Sequence, residues 1–473
     1  MIKASEWFQN ETSTDKPWLI LGKGPTFRKA KTADLSGYHT IALNHVAREM
    51  PCDAVLLMDL DVLDVAGEQM ERNAQFFFLP WHPHIDFQPA AEGLDHFIER
   101  YPVLQKIERE GRLVVFNAET AKNLAPIAGE PTTQIKFSSA EAALNLLANN
   151  GVKSIRTLGV DGGNTYANKF DDLNSVTLLK NGQQNFERQF EKFSETLRRH
   201  PDLTFGPLTT NAPVRIFIGG DPTQVLGAKM FEYSVRQYAS MSVKCEIINN
   251  DGLPVPADPN KRARTGFSFC RFKIPELCNY RGRAIYVDAD MQVFTDIKDL
   301  WTRDFEDSWL LYSELPDDGK GERIPQYSVM LLDCAKLDWD AKALVASLER
   351  DDMDYPKLMH HFSMMPSEKK LPLLDYEWNS LEHYEENKTK LIHYTDMPTQ
   401  PWVSHQNPNG ELWYSALRDA IRDEFVSLEE IYEEIHRGHI SPLLPEWAGL
   451  PALPNAKQLA KDWVPPFRRF IKK

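Results

Sequence analysis

Two aspartates spaced one residue apart follow a short apolar run in the middle of the chain. Ala284 to Val287 form a continuous β-branched and aromatic run after Gly282, which predicts a buried strand. Side chains repeat every two residues along a strand, so Asp288 and Asp290 point the same way if the extended geometry continues. Two converging carboxylates predict an oxygen-rich site for a divalent cation, and such a cation can hold a diphosphate.

The same acidic segment has a structural alternative. Asp296 or Thr295 could cap a helix that begins at Ile297, and an aspartate after a strand is common. The motif alone leaves both interpretations open, because a short acidic motif identifies a metal site only in the right structural context.

The composition limits which class of protein this chain can be and which partners it can bind. The 473 residues suffice for two domains and a tail. Asp and Glu outnumber Lys and Arg by 68 to 54, which argues against general nucleic-acid binding. Five scattered cysteines without zinc-like spacing favour reduced thiols. Because no apolar stretch reaches signal-peptide length at the start or membrane-span length elsewhere, we expect a cytoplasmic protein.

The first half of the chain alternates short strands with helical segments, which is typical of a parallel α/β sheet. Its first strand ends in the glycine turn 22–25, whose backbone N–H groups could approach a phosphate. A plain tight turn explains the same glycines, since the full dinucleotide fingerprint is missing. A helix capped by Ser138 or Ser139 is predicted through Leu147. The predicted strands are Trp18 to Leu21, Thr40 to Leu43, Ala54 to Met58, Arg112 to Phe116 and Ser154 to Leu158.

Across most of residues 17–170, this order of features resembles the family 42 bacterial sialyltransferases and related nucleotide-binding domains. In that family the matching glycine loop, asparagine and serine contact the nucleotide of the sugar donor, which implies a CMP-like ligand here. The residues that carry the likeness are Gly22, Gly24, Pro25, Asn44, Ser138, Ser139, Gly159 and Asp161.

Three histidines of this half have both chemical and structural interpretations. His200 lies between Asp161 and residue 210, where the resemblance asks for a catalytic histidine, but a positively charged helix end is the commoner explanation. His82 and His84 have no carboxylate or cysteine partner fixed by spacing. We therefore expect them in an exposed loop rather than in a metal site.

A second strand, glycine, acid and helix pattern opens after the loop 206–213, where we place a domain boundary. A strand from residue 214 is followed by Gly219, Gly220 and Asp221 and then by a helix over about 224–238. This order places Asp221 to accept hydrogen bonds from a base or ribose.

Arg271 lies in an apolar sequence segment with Phe267 and Phe272 on either side. A guanidinium in such surroundings usually has an anionic partner. The pattern leaves two partners open, an aspartate of the protein or the phosphate of a donor.

Over about residues 214–415 the chain resembles the family 8 glycosyltransferases, the glycogenin-like and lipopolysaccharide galactosyltransferase-like enzymes. The resemblance implies a GT-A type nucleotide-diphospho-sugar transferase fold, a UDP-sugar donor and retention of the anomeric configuration. It also implies Mn²⁺ or Mg²⁺ held by Asp288, Asp290 and His393. The motifs that carry it, in order, are Phe267 to Pro275, Asp288 to Asp290, Ser328 to Leu331, Trp378-Asn379, His393 to Thr395 and Gln400 to Trp402.

Further site residues follow from the same resemblance. Arg271, with the cation, would stabilise the charge of the departing phosphate, and Ser328 would contact the donor. Asp375 and Glu377 are the candidates for the group under the anomeric carbon, with helix capping or an acidic surface as the alternative for each. Gln400 stands where some family members have a basic residue.

We thus predict two Rossmann-like domains: a sialyltransferase-like nucleotide-binding domain over 1–210 and a GT-A family 8-like domain over 211–440. A Pro-rich, basic-aromatic tail over 441–473 suits either an anionic membrane surface, where lipid-linked acceptors occur, or ordinary solvation. The expected function is sugar transfer to a glycan or lipid-linked acceptor of a bacterial surface polysaccharide or lipopolysaccharide. The first domain could instead hold a second, sialyltransferase-like active site or be a non-catalytic binding module.

Overall fold

Two compact mixed α/β units make up the chain. Unit 1 comprises Met1–Pro213 with Ser240–Ser242, and unit 2 comprises Val214–Ala239 with Val243–Lys473. The computed structural model describes residues 1–10, 16–180, 182–263, 265–313 and 327–470.

Unit 1 is built on a nine-stranded sheet whose strand pairs are all parallel, with a small β6–β7 hairpin in addition. Its strands are β1 Ile2–Lys3, β2 Trp18–Leu21, β3 His39–Leu43, β4 Cys52–Leu56, β5 Ala74–Pro80, β6 His84–Ile85, β7 Gln88–Pro89, β8 Leu113–Ala118, β9 Thr132–Thr133, β10 Ser154–Leu158 and β11 Thr204–Pro207. They are ordered β1-β8-β5-β4-β3-β2-β10-β11, with β9 paired to β8. The chain therefore adds strands on one side of β2 and then returns to its other side, so the strand order reverses between β2 and β10.

Helices cover both faces of this sheet. Along β2, Ile20 enters one hydrophobic cluster with α1, α4 and α5, while Leu19 and Leu21 enter a second cluster with α2 and α3. This alternation explains why β2 is apolar and buried along its whole length. The helices are α1 Ala4–Asn10, α2 Asp61–Asn73, α3 Pro102–Arg109, α4 Ser139–Asn149 and α5 Arg188–Arg199, with 3₁₀ helices at Pro25–Lys31, Asn44–Arg48, Leu94–Arg100, Glu119–Ala121 and Asn168–Leu173.

Unit 2 contains a six-stranded mixed sheet, ordered β13-β12-β14-β17-β16-β18, and a three-stranded sheet, ordered β15-β20-β19. The strands are β12 Val214–Gly219, β13 Val243–Ile248, β14 Arg283–Asp288, β15 Met291–Val293, β16 Leu310–Ser313, β17 Val329–Asp333, β18 Lys370–Leu374, β19 Ser380–Leu381 and β20 Leu391–His393. Strand β12 has the parallel neighbours β13 and β14, so the order reverses between β12 and β14.

The helices of unit 2 include α6, which follows β12 after a short 3₁₀ helix. A Cβ at Gly227 of α6 would lie 3.1 Å from the Ala289 carbonyl oxygen, so the helix lies close to the backbone between Asp288 and Asp290. The helices are α6 Val225–Tyr238, α7 Ile274–Leu277, α8 Lys298–Trp301, α9 Ala341–Glu349, α10 Tyr355–Met359, α11 Gly410–Arg422, α12 Leu428–His436, α13 Leu444–Trp447, α14 Ala456–Asp462 and α15 Pro466–Phe470. The 3₁₀ helices are Pro222–Gln224, Pro259–Lys261, Cys270–Lys273, Ser367–Lys369 and Tyr376–Asn379. Among the helices of the described residues, none has the length and apolar character needed to cross a bilayer.

The residues after Ser441 fold onto the rest of unit 2. Leu444 is fully buried, and Trp447 and Trp463 pack against the cluster that contains Trp413. The indole nitrogen of Trp463 donates a hydrogen bond to the Gly438 carbonyl at 3.1 Å. Aromatic rings predicted to face a membrane or solvent thus contribute to packing. Residues 471–473 and the side chains of residues 469 and 470 lie outside the described part.

Several predicted elements are confirmed, among them the strand over 154–158 and the helix that Ser138 caps through its side-chain contact with the Glu141 N–H. Strand β5, which the sequence analysis missed, lies inside the sheet between β8 and β4. It follows α2 without an intervening turn, because α2 ends at Asn73 and β5 begins at Ala74.

Candidate active site

The predicted acidic motif lies where the chain passes from one sheet of unit 2 to the other. Strand β14 ends at Asp288, which pairs with Gly219 of β12, and β15 of the three-stranded sheet begins at Met291. The extended geometry therefore does not continue through both aspartates, although both side chains belong to one cluster. Asp290 is fixed instead by its backbone carbonyl, which accepts a hydrogen bond from the Tyr394 N–H at 2.8 Å.

Pairing of two short strands brings His393 to the aspartates. Met291 of β15 pairs with His393 of β20, so the imidazole lies beside Asp290, with His393 Nε2 at 3.1 Å from Asp290 Oδ1. Ligand atoms of Asp288, Asp290 and His393 all lie within 4.8 Å of one another, and all three residues are buried. Within the described residues, this is the one cluster of acidic, histidine or cysteine side chains with such geometry.

Burial makes this cluster electrostatically costly. Burial raises the pKa of Asp288, although the nearby Arg271 charge opposes that shift. Burial by itself would lower the pKa of His393, but the charge and hydrogen bond of Asp290, together with the charges of Asp288 and Glu382, outweigh it and raise the pKa. Buried like charges of this kind are stabilised when they coordinate a cation. Two carboxylates and one imidazole suit Mn²⁺, which accepts both ligand types.

Two amide side chains hold the cluster in place. His393 Nδ1 lies 3.0 Å from Asn379 Oδ1, an oxygen that accepts, so the Nδ1–H donates to it and Nε2 is the nitrogen that faces Asp290. Gln400 Nε2 donates to Asp290 Oδ2 at 3.0 Å and to the Tyr394 carbonyl at 2.9 Å. The sequence analysis noticed Gln400 only as the replacement of a basic residue, and its contact with Asp290 is the finding.

Arg271 is buried at the same edge and is held by the protein. Its Nε donates to the Ser268 carbonyl at 3.1 Å and its Nη1 to the Tyr327 carbonyl at 3.0 Å. Its Nη2 lies 3.5 Å from Asp288 Oδ1, and the guanidinium lies over the Tyr286 ring at 4.6 Å. Of the two partners left open by the sequence, the structure shows the aspartate.

Asp221 and Ser328 lie at the ends of strands next to β14. Asp221 Oδ1 accepts hydrogen bonds from the Thr223 N–H at 2.8 Å and hydroxyl at 2.6 Å, which caps the short 3₁₀ helix before α6. Ser328 is buried and directly precedes Val329, the partner of Val287 in the antiparallel β14–β17 pair. Both predicted donor-binding residues therefore lie at the strand edge that carries Asp288.

The structure does not bring Asp375 and Glu377 together with the three clustered residues. Asp375 pairs with Lys390 at 3.0 Å and Arg303 at 2.9 Å, and Glu377 pairs with Lys390 at 3.0 Å. The hydrogen bond from Lys390 is the main reason that the pKa of Asp375 lies below its ordinary value. Their role beneath the anomeric carbon stays a prediction.

In unit 1 the predicted glycine loop contacts its neighbouring loop. The Gly22 N–H donates to the Leu158 carbonyl at 2.8 Å, and the Gly24 N–H donates to the Gly159 carbonyl at 2.7 Å. A Cβ at Gly22 would lie 2.3 Å from the Gly159 oxygen. These glycines therefore permit close approach of two loops, and the N–H groups predicted to face a phosphate already have protein acceptors.

Asn44 and Ser139 do come together in unit 1. Asn44 Nδ2 donates to Ser139 Oγ at 3.2 Å, and Asn44 Oδ1 accepts from the Met58 N–H at 3.4 Å. Asn44 follows β3 and Ser139 begins α4, so the pair lies at the carboxyl edge of the sheet.

The histidines of unit 1 differ from expectation. His200 ends α5 just before β11, which places it at the amino edge of the parallel sheet, with Nε2 at 3.0 Å from Asn149 Oδ1. It is therefore on the opposite edge from Asn44. The prediction of exposed loop histidines is wrong for His82, whose ring nitrogens lie within 3.1 Å of three backbone carbonyls, and His84 is largely buried.

Comparison with known proteins gives the following matches. Residues 207–330 match the family model described as glycosyl transferase family 8. Protein CDI of Arabidopsis thaliana is 26% identical over 229 residues, which cover 46% of this chain and 84% of that protein.

Two of the solved structures that match are glycosyltransferases. The galactosyltransferase LgtC, in complex with donor and acceptor sugar analogues, is 15% identical over 47% of this chain and 100% of its own, with a TM-score of 0.31. The apo-form glycosyltransferase GlyE of Streptococcus pneumoniae TIGR4 is 15% identical over 45% of this chain and 64% of its own, with a TM-score of 0.33. The family match, which includes both aspartates, supports a glycosyltransferase.

Proposed function

We propose that unit 2 is a metal-dependent glycosyltransferase that uses a nucleotide-sugar donor, with Mn²⁺ or Mg²⁺ as the cation. The buried convergence of Asp288, Asp290 and His393 carries this proposal. Two carboxylates and an imidazole leave coordination positions for diphosphate oxygens. The reversal of strand order between β12 and β14 supports it, because ligands of α/β proteins bind at such reversals.

The side chains around the cluster have distinct roles in this proposal. Asp288, Asp290 and His393 would hold the divalent cation, which would supply positive charge against the departing diphosphate. Arg271 adds a positive charge that two carbonyls and the Tyr286 ring hold in place, so little reorganisation is needed during the reaction. Asp221 would accept hydrogen bonds from the base or ribose, and Ser328 would contact the donor at the same edge.

The finer properties of the reaction follow the family 8 likeness. We propose a UDP-sugar donor, retention of configuration within a GT-A type fold, and an acceptor that is a glycan or lipid-linked intermediate of bacterial surface polysaccharide, including lipopolysaccharide. Peripheral contact with the cytoplasmic face of the membrane would rest on basic residues near the end of the chain, since Trp447 and Trp463 are used in packing.

For unit 1 we propose a second Rossmann-like domain, similar to family 42, that binds a nucleotide. The contact between Asn44 and Ser139 at the carboxyl edge supports ligand binding there. A second active site in unit 1 is the alternative, but His200 lies at the other edge. Loss of all sugar transfer with Asp288→Asn alone would exclude a second active site.

A donor-hydrolysis screen tests the main proposal. UDP-, GDP- and CMP-sugars are incubated with the full chain, with and without Mn²⁺. We expect hydrolysis of a UDP-sugar that requires the cation and is absent in His393→Gln. Equal hydrolysis after removal of metal by EDTA would contradict metal dependence.

A further inference from the structure

A hydroxyl, an imidazole and a carboxylate lie in sequence at the carboxyl edge of the unit 1 sheet. His84 Nε2 is 3.1 Å from Thr120 Oγ1, and His84 Nδ1 is 3.8 Å from Asp59 Oδ1. The His84 backbone is hydrogen-bonded to the segment after β4: its N–H donates to the Met58 carbonyl, and its carbonyl accepts from the Leu60 N–H. These backbone bonds fix the ring between Thr120 and Asp59.

Asp59 is incompletely satisfied by the protein. Its Oδ1 atom is buried and has no hydrogen-bond partner within the described residues. Burial, with repulsion from Asp61, raises the pKa of Asp59 to about 6, while Lys23 opposes the shift. Burial lowers the pKa of His84. At neutral pH an uncharged imidazole therefore lies beside a mostly ionised carboxylate, so the ring can accept a proton and the carboxylate can stabilise the imidazolium.

A lysine follows β2 at the same edge. The Lys23 ammonium lies 4.5 Å above the Tyr166 ring and 3.4 Å from Thr177 Oγ1, and it forms no ion pair with any residue that the structure describes. Burial lowers its pKa to about 8, and Asp59 is the main charge that opposes this shift. A desolvated ammonium without a paired carboxylate is stabilised by an anionic ligand.

The spacing of the strands indicates the size of that ligand. Strands β5 and β2 are three positions apart, which corresponds to about 14 Å between their backbones, and the side chains shorten the gap. Asn44 follows β3, one of the two strands between them. A ligand with a phosphate at one end and a hydroxyl at the other has the length to reach both Lys23 and His84.

We propose that this edge of unit 1 is an acid–base ligand site in which Lys23 binds the phosphate of a nucleotide or sugar phosphate. The proton of a ligand hydroxyl passes to Thr120 Oγ1 while the Thr120 hydroxyl proton passes to His84 Nε2, and Asp59 stabilises the resulting imidazolium. The proposal deepens the nucleotide binding proposed for unit 1: within the glycine turn 22–25 it assigns the phosphate contact to the Lys23 side chain rather than to backbone N–H groups. It does not depend on the metal cluster of unit 2.

Calorimetric titration with inorganic phosphate and with CMP tests this site. The full chain carries Asp290→Asn and is kept in EDTA, so that binding through the unit 2 cluster is suppressed. We expect Lys23→Met to weaken binding of both probes by about tenfold or more, since a charge-assisted contact is lost. His84→Phe should weaken CMP binding by about fivefold and leave phosphate binding unchanged. His200→Phe, at the opposite edge, is the matched control and should change neither.

Nuclear magnetic resonance of the otherwise native chain covers the case in which a variant misfolds. Saturating CMP should shift the imidazole signals of His84 and leave those of His200 in place. Undiminished phosphate binding in Lys23→Met, or His84 signals that do not respond to CMP, would overturn the proposal. Metal-dependent donor hydrolysis, measured with Asp290 intact, should persist in Lys23→Met, so failure here differs from failure of the unit 2 proposal.

Discussion

The two units place different sets of ionisable side chains at the same kind of sheet edge: two carboxylates and an imidazole in unit 2, and an ammonium, a carboxylate and an imidazole in unit 1. In unit 2 the strand order reverses between β12 and β14, and Asp288 lies at the end of β14. Asp290 and His393 complete the cluster there. In unit 1 the strand order reverses between β2 and β10, where backbone contacts of Gly22 and Gly159 hold the two loops together. The ionisable groups of unit 1 follow strands β2, β4 and β5. The comparison shows that both folds contain a reversal of strand order, and that the side chains at the strand ends differ between the two units.

The largest expected effect comes from removing a carboxylate of the unit 2 cluster. Asp290→Asn should reduce sugar transfer by at least about a thousandfold, because metal stabilisation of the leaving group contributes several kcal/mol. Steady-state kinetics with saturating Mn²⁺ measures the loss. Phosphate and CMP binding by unit 1 should be unchanged. Retention of more than a tenth of the activity would contradict the assignment.

Gly159→Ala tests the contact between the loops that follow β2 and β10, where the strand order of unit 1 reverses. Gly159 has φ +73°, and a Cβ there would lie 2.1 Å from the Gly22 oxygen, so we expect a loss of about 2–4 kcal/mol in unfolding free energy. Denaturant unfolding provides the measurement.

Gly151→Ala is its control. Gly151 has φ +87° with nothing near its Cβ position, so this variant isolates the backbone contribution, about 1 kcal/mol. Equal losses in the two variants would show that the loop contact is unimportant.

Gln400→Ala tests the support of the metal ligands. Removing its bonds to Asp290 and Tyr394 should weaken Mn²⁺ binding by about 10- to 100-fold, the usual effect of losing a residue that orients a ligand. Calorimetry with Mn²⁺ gives the affinity directly. Exposed Gln406→Ala is the matched control, and an equally small change in both variants would leave Gln400 without a role at the cluster.

The smallest effect concerns the stability of unit 1 and its pH dependence. With a pKa of about 6 in the folded state and about 3.9 when unfolded, Asp59 binds its proton more tightly in the folded protein. Wild-type stability therefore falls as the pH rises from about 4 to 6. Asp59→Asn should be more stable by about 1–2 kcal/mol above pH 6, with no difference below about pH 4.

Unfolding curves at several pH values check this sign. Exposed Asp171→Asn is the control and should show no comparable change. A destabilised Asp59→Asn at pH 7 would mean that the Asp59 carboxylate has a stabilising partner.

Sequence reasoning reached much of the unit 2 site but not its supports. Asp288 and Asp290 stand out because acids directly follow an apolar strand, and His393 was found through the order of family motifs. The contacts of Asn379 and Gln400 depend on the pairing of β15 with β20, which joins residues about a hundred positions apart. No local pattern encodes that pairing.

In unit 1 the sequence pattern misled at two places. His82 and His84 were expected in an exposed loop, yet His82 is buried and His84 is largely buried, and only the fold brings Thr120 to His84. The aromatic strand β5 was hidden because it follows α2 without a turn. Local secondary-structure propensity carries no information about which strand ends become neighbours in the fold.

Mn²⁺ coordination in the full chain tests the central claim most directly. Electron spin-echo spectroscopy of the protein with one equivalent of Mn²⁺ should show a single bound ion with nitrogen coupling from one imidazole. His393→Gln should abolish that coupling, and Asp288→Asn should abolish tight binding. Absence of a bound ion, or a nitrogen coupling that persists in His393→Gln, would contradict a metal centre at this site.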